Sequence, residues 1–138
     1  MQLWEGLTRL LDGWRDGDAR TQRQKTGDRG EKLAAAHLRD RGYRILTRNF
    51  RTPRGEIDLV AFRDGIVAFV EVRTVTSPAP VEPAYTVTGS KQQRVVRAAR
   101  RYRRLHELDR EQHIMTRFDV LTVRLDPEGN DPEGRHLP

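Results

Sequence analysis

Residues 55–73 read GEIDLVAFRDGIVAFVEVR, and this stretch decides the fold of the chain. It contains two runs rich in β-branched and aromatic residues, 56–62 and 66–73, and each run predicts a strand. Asp64-Gly65 joins them, and this dipeptide is typical of two-residue type I′ turns, whose central residues both have positive φ. The stretch therefore predicts an antiparallel hairpin.

Helices and further strands are predicted on both sides of this hairpin. Asp28 with Glu31, and Ser90 with Gln93, have the spacing of capping boxes and predict two helix starts. The segment 74–89 holds three prolines and no sustained periodicity, which predicts a long loop. The remaining elements are a helix over about 29–41, a strand over 43–51, a turn over 52–55, a helix over 90–105 and a strand over 117–125. This order of helix, three strands, helix and strand predicts an α/β sandwich around a central mixed four-stranded sheet.

The two ends of the chain differ from this central part. Residues 2–14 predict a short amphipathic helix whose apolar stripe packs on its own domain, or docks a partner protein or a second copy to form a homodimer. Residues 15–26 are nearly all polar and predict a linker, and the charged residues 126–138 predict a disordered tail. The expected organisation is a helix and linker over 1–25, a folded domain over 26–125, and the tail.

Composition narrows the class of protein and of partner. The formal net charge is +6 and the pI about 10.4, which favours a polyanionic partner such as nucleic acid. The absence of cysteine excludes disulfide frameworks, cysteine nucleophiles and Cys-type zinc sites. No apolar stretch approaches the roughly 18 residues of a membrane span, and the N-terminus lacks the pattern of a signal peptide. We therefore expect a cytoplasmic protein with no membrane partner.

The hairpin brings two carboxylates together. With the turn at 64–65, opposed residues have numbers that sum to 129, so Asp58 faces Glu71 and Glu56 faces Arg73. Alternation places these four side chains on one face, and Ile57, Leu59, Val70 and Val72 on the other. Opposed Cβ atoms lie about 5 Å apart, where two carboxylates repel by roughly 3 to 4 kcal/mol at an effective dielectric constant near 20.

Several alternative arrangements would offset this repulsion. In the first, one carboxylate is protonated, is turned to solvent, or is neutralised by Arg73 or Arg54. Alternatively, Asp58 and Glu71 share a divalent cation, because Mg²⁺ prefers carboxylate oxygens. Glu31 is a candidate third carboxylate on the sheet-facing side of its helix, although its position in the capping pattern gives it an alternative local role.

The second helix carries a row of cations. Between positions 91 and 104 there are seven Lys and Arg residues and no acidic residue, which favours contact with phosphate. Gln93 either caps this helix or approaches the carboxylates, and Arg51 and Arg54 extend the basic track from the turn after the first strand. The predicted nucleic-acid contacts are Lys91, Gln93, Arg94, Arg97, Arg101, Arg104 and Arg54.

Short motifs between Thr26 and Val123 occur in the order and spacing of a known family. They are GDRGE (27–31), GYRIL (42–46), RNFR (48–51), GEIDLV (55–60), FVEVR (69–73), KQ (91–92) and AARRY (98–102). In these motifs the chain resembles the bacterial YraN family, which is identified as a member of the restriction-endonuclease-like superfamily with the PD-(D/E)XK pattern. The resemblance implies a restriction-endonuclease-like sandwich, so that the domain over 26–125 is nuclease-like.

The resemblance also implies roles for particular residues. Asp58 and Glu71 match the two acidic positions that bind metal, and Glu31 matches the helical acidic position of related junction-resolving nucleases. The lysine of the pattern is Arg73 here, which keeps the charge but cannot accept a proton. Lys91 is a candidate replacement from another backbone position.

These observations predict a metal-dependent endonuclease that acts on DNA, with branched repair or recombination intermediates as the implied substrates. Asp58, Glu71, Glu31 and the backbone carbonyl of Val72 would hold Mg²⁺ or Mn²⁺, and Arg73 or Lys91 would stabilise charge at phosphorus. Two alternatives belong to other classes: a catalytically weak or inactive nucleic-acid-binding module with this fold, and a protein-interaction scaffold that uses the N-terminal helix.

Overall fold

The computed structural model describes residues 22–76, 89–126 and 135–137. The predicted helix over 2–14 and most of the predicted loop over 74–89 lie outside these residues. The elements in chain order are α1 (Gln22–Asp40), β1 (Arg44–Thr52), β2 (Gly55–Arg63), β3 (Ile66–Thr76), α2 (Gly89–Leu105), a short 3₁₀ helix (Leu108–Arg110), β4 (Met115–Leu125) and β5 (Arg135–Leu137).

The strands form one mixed sheet in the order β1-β2-β3-β4-β5. Strands β3 and β4 are parallel and the other neighbours are antiparallel. The parallel pair requires a crossover between β3 and β4, and that crossover contains α2. This confirms the predicted α/β sandwich with a mixed sheet.

The central hairpin has the predicted register. Its residue pairs run from Leu59↔Val70 to Arg63↔Ile66, and the two residue numbers of every pair sum to 129, as predicted. Asp64 and Gly65 have φ values of 48° and 78°, the positive values that a type I′ turn requires. Each strand then presents alternate residues to the two faces of the sheet.

One helix packs against each face of the sheet. On the first face, Ala34, Ala35 and Leu38 of α1 pack with residues such as Leu59 and Val70. On the second face, the buried residues of α2 pack with β2 and β3; this cluster consists of Ala98, Ala99, Tyr102, Ile57, Val60, Val67 and Phe69. The sheet is therefore covered on both faces, and the ends of its strands are left to form a site.

Helix α1 begins earlier than predicted. It starts at Gln22 and not near Arg29, so the predicted linker is wrong for residues 22–26, and Asp28 and Glu31 lie inside the helix and form no capping box. The reason is that tertiary packing outweighs the low helix propensity of glycine. Gly30 is buried against β3, where a Cβ atom would stand 1.8 Å from Thr74 Oγ1. Glu31 is consequently free of the local capping role.

The sheet gains a fifth strand from the predicted tail. The four predicted strands are present, and residues 135–137 add a short fifth strand by pairing with β4 in register with 120–122, in the segment for which disorder was predicted. Backbone hydrogen bonds along an open sheet edge depend little on side-chain identity, and this is why composition did not reveal the strand.

Candidate metal centre and nucleic-acid interface

The two predicted acidic residues meet at the point where β2 and β3 separate. The last ladder pair on this side is Leu59↔Val70, so Asp58 and Glu71 are not ladder partners. Instead, Asp58 Oδ2 accepts a hydrogen bond of 2.8 Å from the backbone N–H of Val72. The Asp58 side chain also hydrogen bonds to the Glu71 side chain. The prediction that these carboxylates lie together is confirmed, although side chains and not strand pairing join them.

Side-chain alternation breaks beside Asp58, and this corrects one expectation. Asn49 of β1 has a left-handed φ of 50°. The pair that follows, Phe50↔Ile57, packs in the α2-side cluster together with Val60. In a strand with regular alternation, the side chains of residues 57 and 60 point to opposite faces. Here Ile57 and Val60 pack in the same cluster, so the prediction that Ile57 shares a face with Leu59 is wrong.

The surroundings of Asp58 favour the protonated form of its carboxyl. Burial is the largest cause, and the charge of Glu71 the second, of a rise in the pKa of Asp58 from 3.8 to about 8. Glu31 raises this pKa further, and the N–H of Val72 opposes the rise. A proton shared by the pair would offset the repulsion between the two carboxylates, which is one of the alternatives that the sequence left open.

Lys91 supplies the second compensation. Its ammonium forms an ion pair with Glu71 Oε1. The Glu71 side chain is only 11% exposed, whereas that of Lys91 is 50% exposed. A strand and the first turn of α2 thus place a nearly buried carboxylate and a solvent-accessible ammonium in contact. Lys91 thus contacts Glu71 from α2, whereas Arg73 occupies the position two residues after Glu71 on β3.

Glu31 stands beside this pair. Its pKa is raised, chiefly by burial, and the side-chain hydrogen bond from Asn49 and the charges of Arg51 and Arg48 oppose that rise. Within the described residues, no three Asp, Glu or His side chains are arranged as a ligand set. The arrangement is therefore a carboxylate pair with Glu31 near enough to influence Asp58 electrostatically.

The donors at this point fit a hard divalent cation. Two carboxylates in contact offer oxygen ligands, and the charge of Glu71 raises the pKa of Asp58. The N–H of Val72 holds Asp58 in position, while the predicted role of the Val72 carbonyl as a ligand stays a prediction. Arg73 is partly buried on β3, in parallel register with Thr122.

The cations of α2 form an exposed track that starts at the carboxylate pair. Arg94 approaches Glu56 at 3.8 Å. Arg54 lies exposed in the turn between β1 and β2. The exposed cations of α2 are Lys91, Arg94, Arg97, Arg100, Arg101 and Arg104.

Two residues near the site escaped the sequence analysis. Gln92 and Gln93 are both exposed, but Gln92 also lines a cavity next to Glu71. The helical spacing contained this information, because position 92 lies one turn before Val95, which packs on the sheet. Asn49 bonds to Glu31 from a left-handed conformation. An asparagine inside a β-rich run is a usable signal of such a position.

Comparison with known sequences gives the family. The model of Uncharacterised protein family UPF0102 matches residues 30–123. The chain belongs to this family. A UPF0102 protein of Chlorobaculum tepidum is 47% identical over 100 residues, which cover 72% of this chain and 75% of that protein. A UPF0102 protein of Anaeromyxobacter dehalogenans is 48% identical over 124 residues, which cover 89% of this chain and 86% of that protein. A UPF0102 protein of Syntrophotalea carbinolica is 42% identical over 117 residues, which cover 85% of this chain and 91% of that protein.

The UPF0102 match coincides with the structural site. Its range of 30–123 begins at the close contact of Gly30 with β3 and includes Glu31, Asp58, Glu71 and Lys91. This confirms the family resemblance that the motifs predicted. Among the described residues, no helix is long and apolar enough to cross a membrane.

Proposed function

We propose that this UPF0102 protein is a metal-dependent endonuclease that hydrolyses phosphodiester bonds of DNA. The observation that carries the proposal is the buried pair of Asp58 and Glu71 at the point where two strands part, with the ammonium of Lys91 on Glu71. Like charges are brought together out of solvent at a cost in stability, and such an arrangement is typical of functional sites. The superfamily resemblance supplies the reaction class.

The residues of the chain would share the chemistry as follows. Asp58, Glu71, Glu31 and the Val72 carbonyl would hold Mg²⁺ or Mn²⁺. When bound, such an ion polarises a phosphodiester and lowers the pKa of a water molecule that attacks phosphorus. The attack forms one P–O bond and breaks the bond to the leaving sugar oxygen, which takes up a proton. Lys91 and Arg73 would stabilise the additional negative charge at phosphorus.

The contacts around Asp58 and Glu71 support the chemical roles proposed for these residues. The N–H of Val72 fixes one oxygen of Asp58, so the carboxylate needs little reorientation when it loses its proton. The ammonium of Lys91 is half exposed and so accessible to a phosphate from solvent. It compensates for Arg73, whose guanidinium cannot act as a proton acceptor.

The exposed arginines of α2 would hold the nucleic-acid backbone on the path to the carboxylates. No acidic residue interrupts the helix between positions 91 and 104, so its contacts with phosphates are electrostatic and independent of sequence. Recognition of DNA structure is therefore favoured over recognition of base sequence. Branched repair and recombination intermediates are the substrates that the resemblance implies.

The test is cleavage of end-labelled single-stranded, duplex, flap and four-way-junction DNA in Mg²⁺, Mn²⁺ or EDTA. Asp58→Asn should abolish cutting, since it removes a metal-binding carboxylate with almost no change of shape. Asp64→Asn is the matched control, because Asp64 is an exposed acid in the hairpin turn and asparagine tolerates its positive φ. Cutting that persists in Asp58→Asn would point to a contaminating nuclease and overturn the assignment.

A non-catalytic nucleic-acid-binding module is the second candidate, and Arg73 at the lysine position is the observation that favours it. In that case neither metal would give cleavage by the natural chain or by Asp58→Asn, while salt-sensitive binding of DNA would be equal in these two proteins. Arg73→Lys separates the two functions: cleavage that appears only in this variant would identify the natural chain as the non-catalytic module.

A further inference from the structure

An apolar cavity of about 290 Å³ adjoins the carboxylate pair. Its walls come from β3, β4 and α2, and its lining includes Phe69, Phe118, Val95, Val96, Gln92 and Glu71. This volume lies at the lower end of the roughly 300–1,000 Å³ range of small-molecule pockets. The cavity therefore suits one flat ring system and is too small for a folded peptide element.

One aromatic wall of the cavity is available for stacking. Phe118 is 49% exposed, although it is a large apolar residue on a central strand. Its ring packs on Phe69 with centroids 5.6 Å apart, and Phe69 in turn contacts Tyr102 of α2 edge-on at 5.8 Å. The inner side of the Phe118 ring is thus held by the core, while its outer side faces solvent.

The surroundings of the cavity indicate what kind of ring it takes. The helix that supplies Val95 and Val96 also carries the exposed Arg94 and Arg97. A phosphate chain bound along these arginines would run past the rim of the cavity. At the rim, Gln92 has an amide that can both donate and accept hydrogen bonds, as the edge of a nucleobase requires.

We propose that this cavity binds a single unstacked nucleobase of the strand that lies along α2, with the base stacked on Phe118. The proposal rests on the proposed function for its ligand class and deepens it, because a paired and stacked base inside a duplex cannot enter. The substrate would be single-stranded DNA, or the unpaired segment of a branched molecule. Stacking of one base on an aromatic side chain is worth roughly 1–3 kcal/mol, which corresponds to about 5- to 150-fold in affinity.

The experiment measures binding in EDTA, so that it does not depend on cleavage. Fluorescence anisotropy compares a labelled oligothymidylate with an abasic strand that has the same number of phosphates. The full chain should bind the strand with bases at least about 5-fold more tightly. Phe118→Leu should erase this difference and leave the affinity for the abasic strand unchanged, whereas Phe118→Trp should retain it. Met115→Ala is the control, because Met115 is 70% exposed on the same strand and does not line the cavity.

The outcomes separate this proposal from the proposed function. Equal affinity for the two strands, or equal weakening of both by Phe118→Leu, overturns the base pocket even if DNA is cleaved. A base-dependent affinity that requires Phe118 supports the pocket even if no cleavage occurs, and no binding of either strand overturns both. Sedimentation of the same variants tests a second copy as the occupant: a dimer that Phe118→Leu dissociates, without any base preference, would overturn the proposal.

Discussion

The raised pKa of Asp58 makes the stability of the metal-free protein depend on pH in a particular direction. In the unfolded chain a carboxyl of this type ionises near pH 4, whereas in the folded protein burial and Glu71 raise the pKa of Asp58 to about 8. Between these values the folded state binds more protons than the unfolded state. The free energy of unfolding must therefore fall as the pH rises through this window.

The size of the effect follows from one proton. Each pH unit inside the window lowers the free energy of unfolding by at most about 1.4 kcal/mol, so the interval from pH 5 to pH 7 is worth up to about 3 kcal/mol. Asp58→Asn replaces the titratable carboxyl with an amide that does not ionise. The amide can keep both hydrogen bonds of Asp58, because its oxygen accepts from the N–H of Val72 and its nitrogen donates to Glu71. The variant should consequently be more stable than the original chain at pH 8, which is unusual for a change at a buried site.

Urea unfolding followed by circular dichroism, at four pH values from 5 to 8 in EDTA, measures this difference. Asp64→Asn should parallel the original chain, since Asp64 lies 83% exposed in the hairpin turn. Mg²⁺ added at pH 8 should stabilise the original chain and leave Asp58→Asn unchanged, because a bound ion replaces the proton. Parallel pH profiles for Asp58→Asn and the original chain, or a variant that is less stable at pH 8, would refute the reasoning.

Three further predictions concern the helices and their contacts. Gly30→Ala should destabilise the fold by about 1–3 kcal/mol, because the added Cβ would meet Thr74. Gly27→Ala should stabilise the fold by about 0.5–1 kcal/mol, because Gly27 has open space on the same helix. Thermal unfolding of the two variants measures the difference. Lys91→Met should lower the rate constant of DNA cleavage by roughly 10²–10³-fold, and Lys32→Met, on the exposed side of α1, should leave it unchanged. Arg97→Ala and Arg101→Ala should each reduce the slope of log affinity against log salt by about 1 in DNA-binding titrations, and an unchanged slope would remove α2 from the interface.

Local chemistry was enough to predict the centre of the fold. Asp64-Gly65 sets the hairpin turn, and the turn sets the register up to Leu59↔Val70. Beyond that pair, counting residues was no longer sufficient, because the strands separate and alternation breaks at Ile57. The break lies opposite a left-handed residue on the neighbouring strand, Asn49, and this juxtaposition depends on pairing that a single sequence does not display.

The start of α1 and the fifth strand were missed for related reasons. Glycine at positions 27 and 30 weakens a helix locally, but Gly30 is needed where the helix touches Thr74. The contact of Lys91 with Glu71 joins residues from separate elements, so the spacing of residues in the sequence could identify Lys91 as a candidate but could not predict the contact. The carboxylates themselves were predictable because the turn that brings them together is adjacent to them in the chain.

The place of Lys91 in the chain predicts an order in which the site is completed. A tight turn brings Asp58 and Glu71 near each other, a local step that closes on the microsecond scale. Lys91 belongs to α2, whose buried residues pack on β2 and β3 in a non-local step that closes a much longer loop. A nascent or partly folded chain would accordingly have its two acids together before the ammonium reaches Glu71, so we expect the ion pair to be the last part of the proposed site to form.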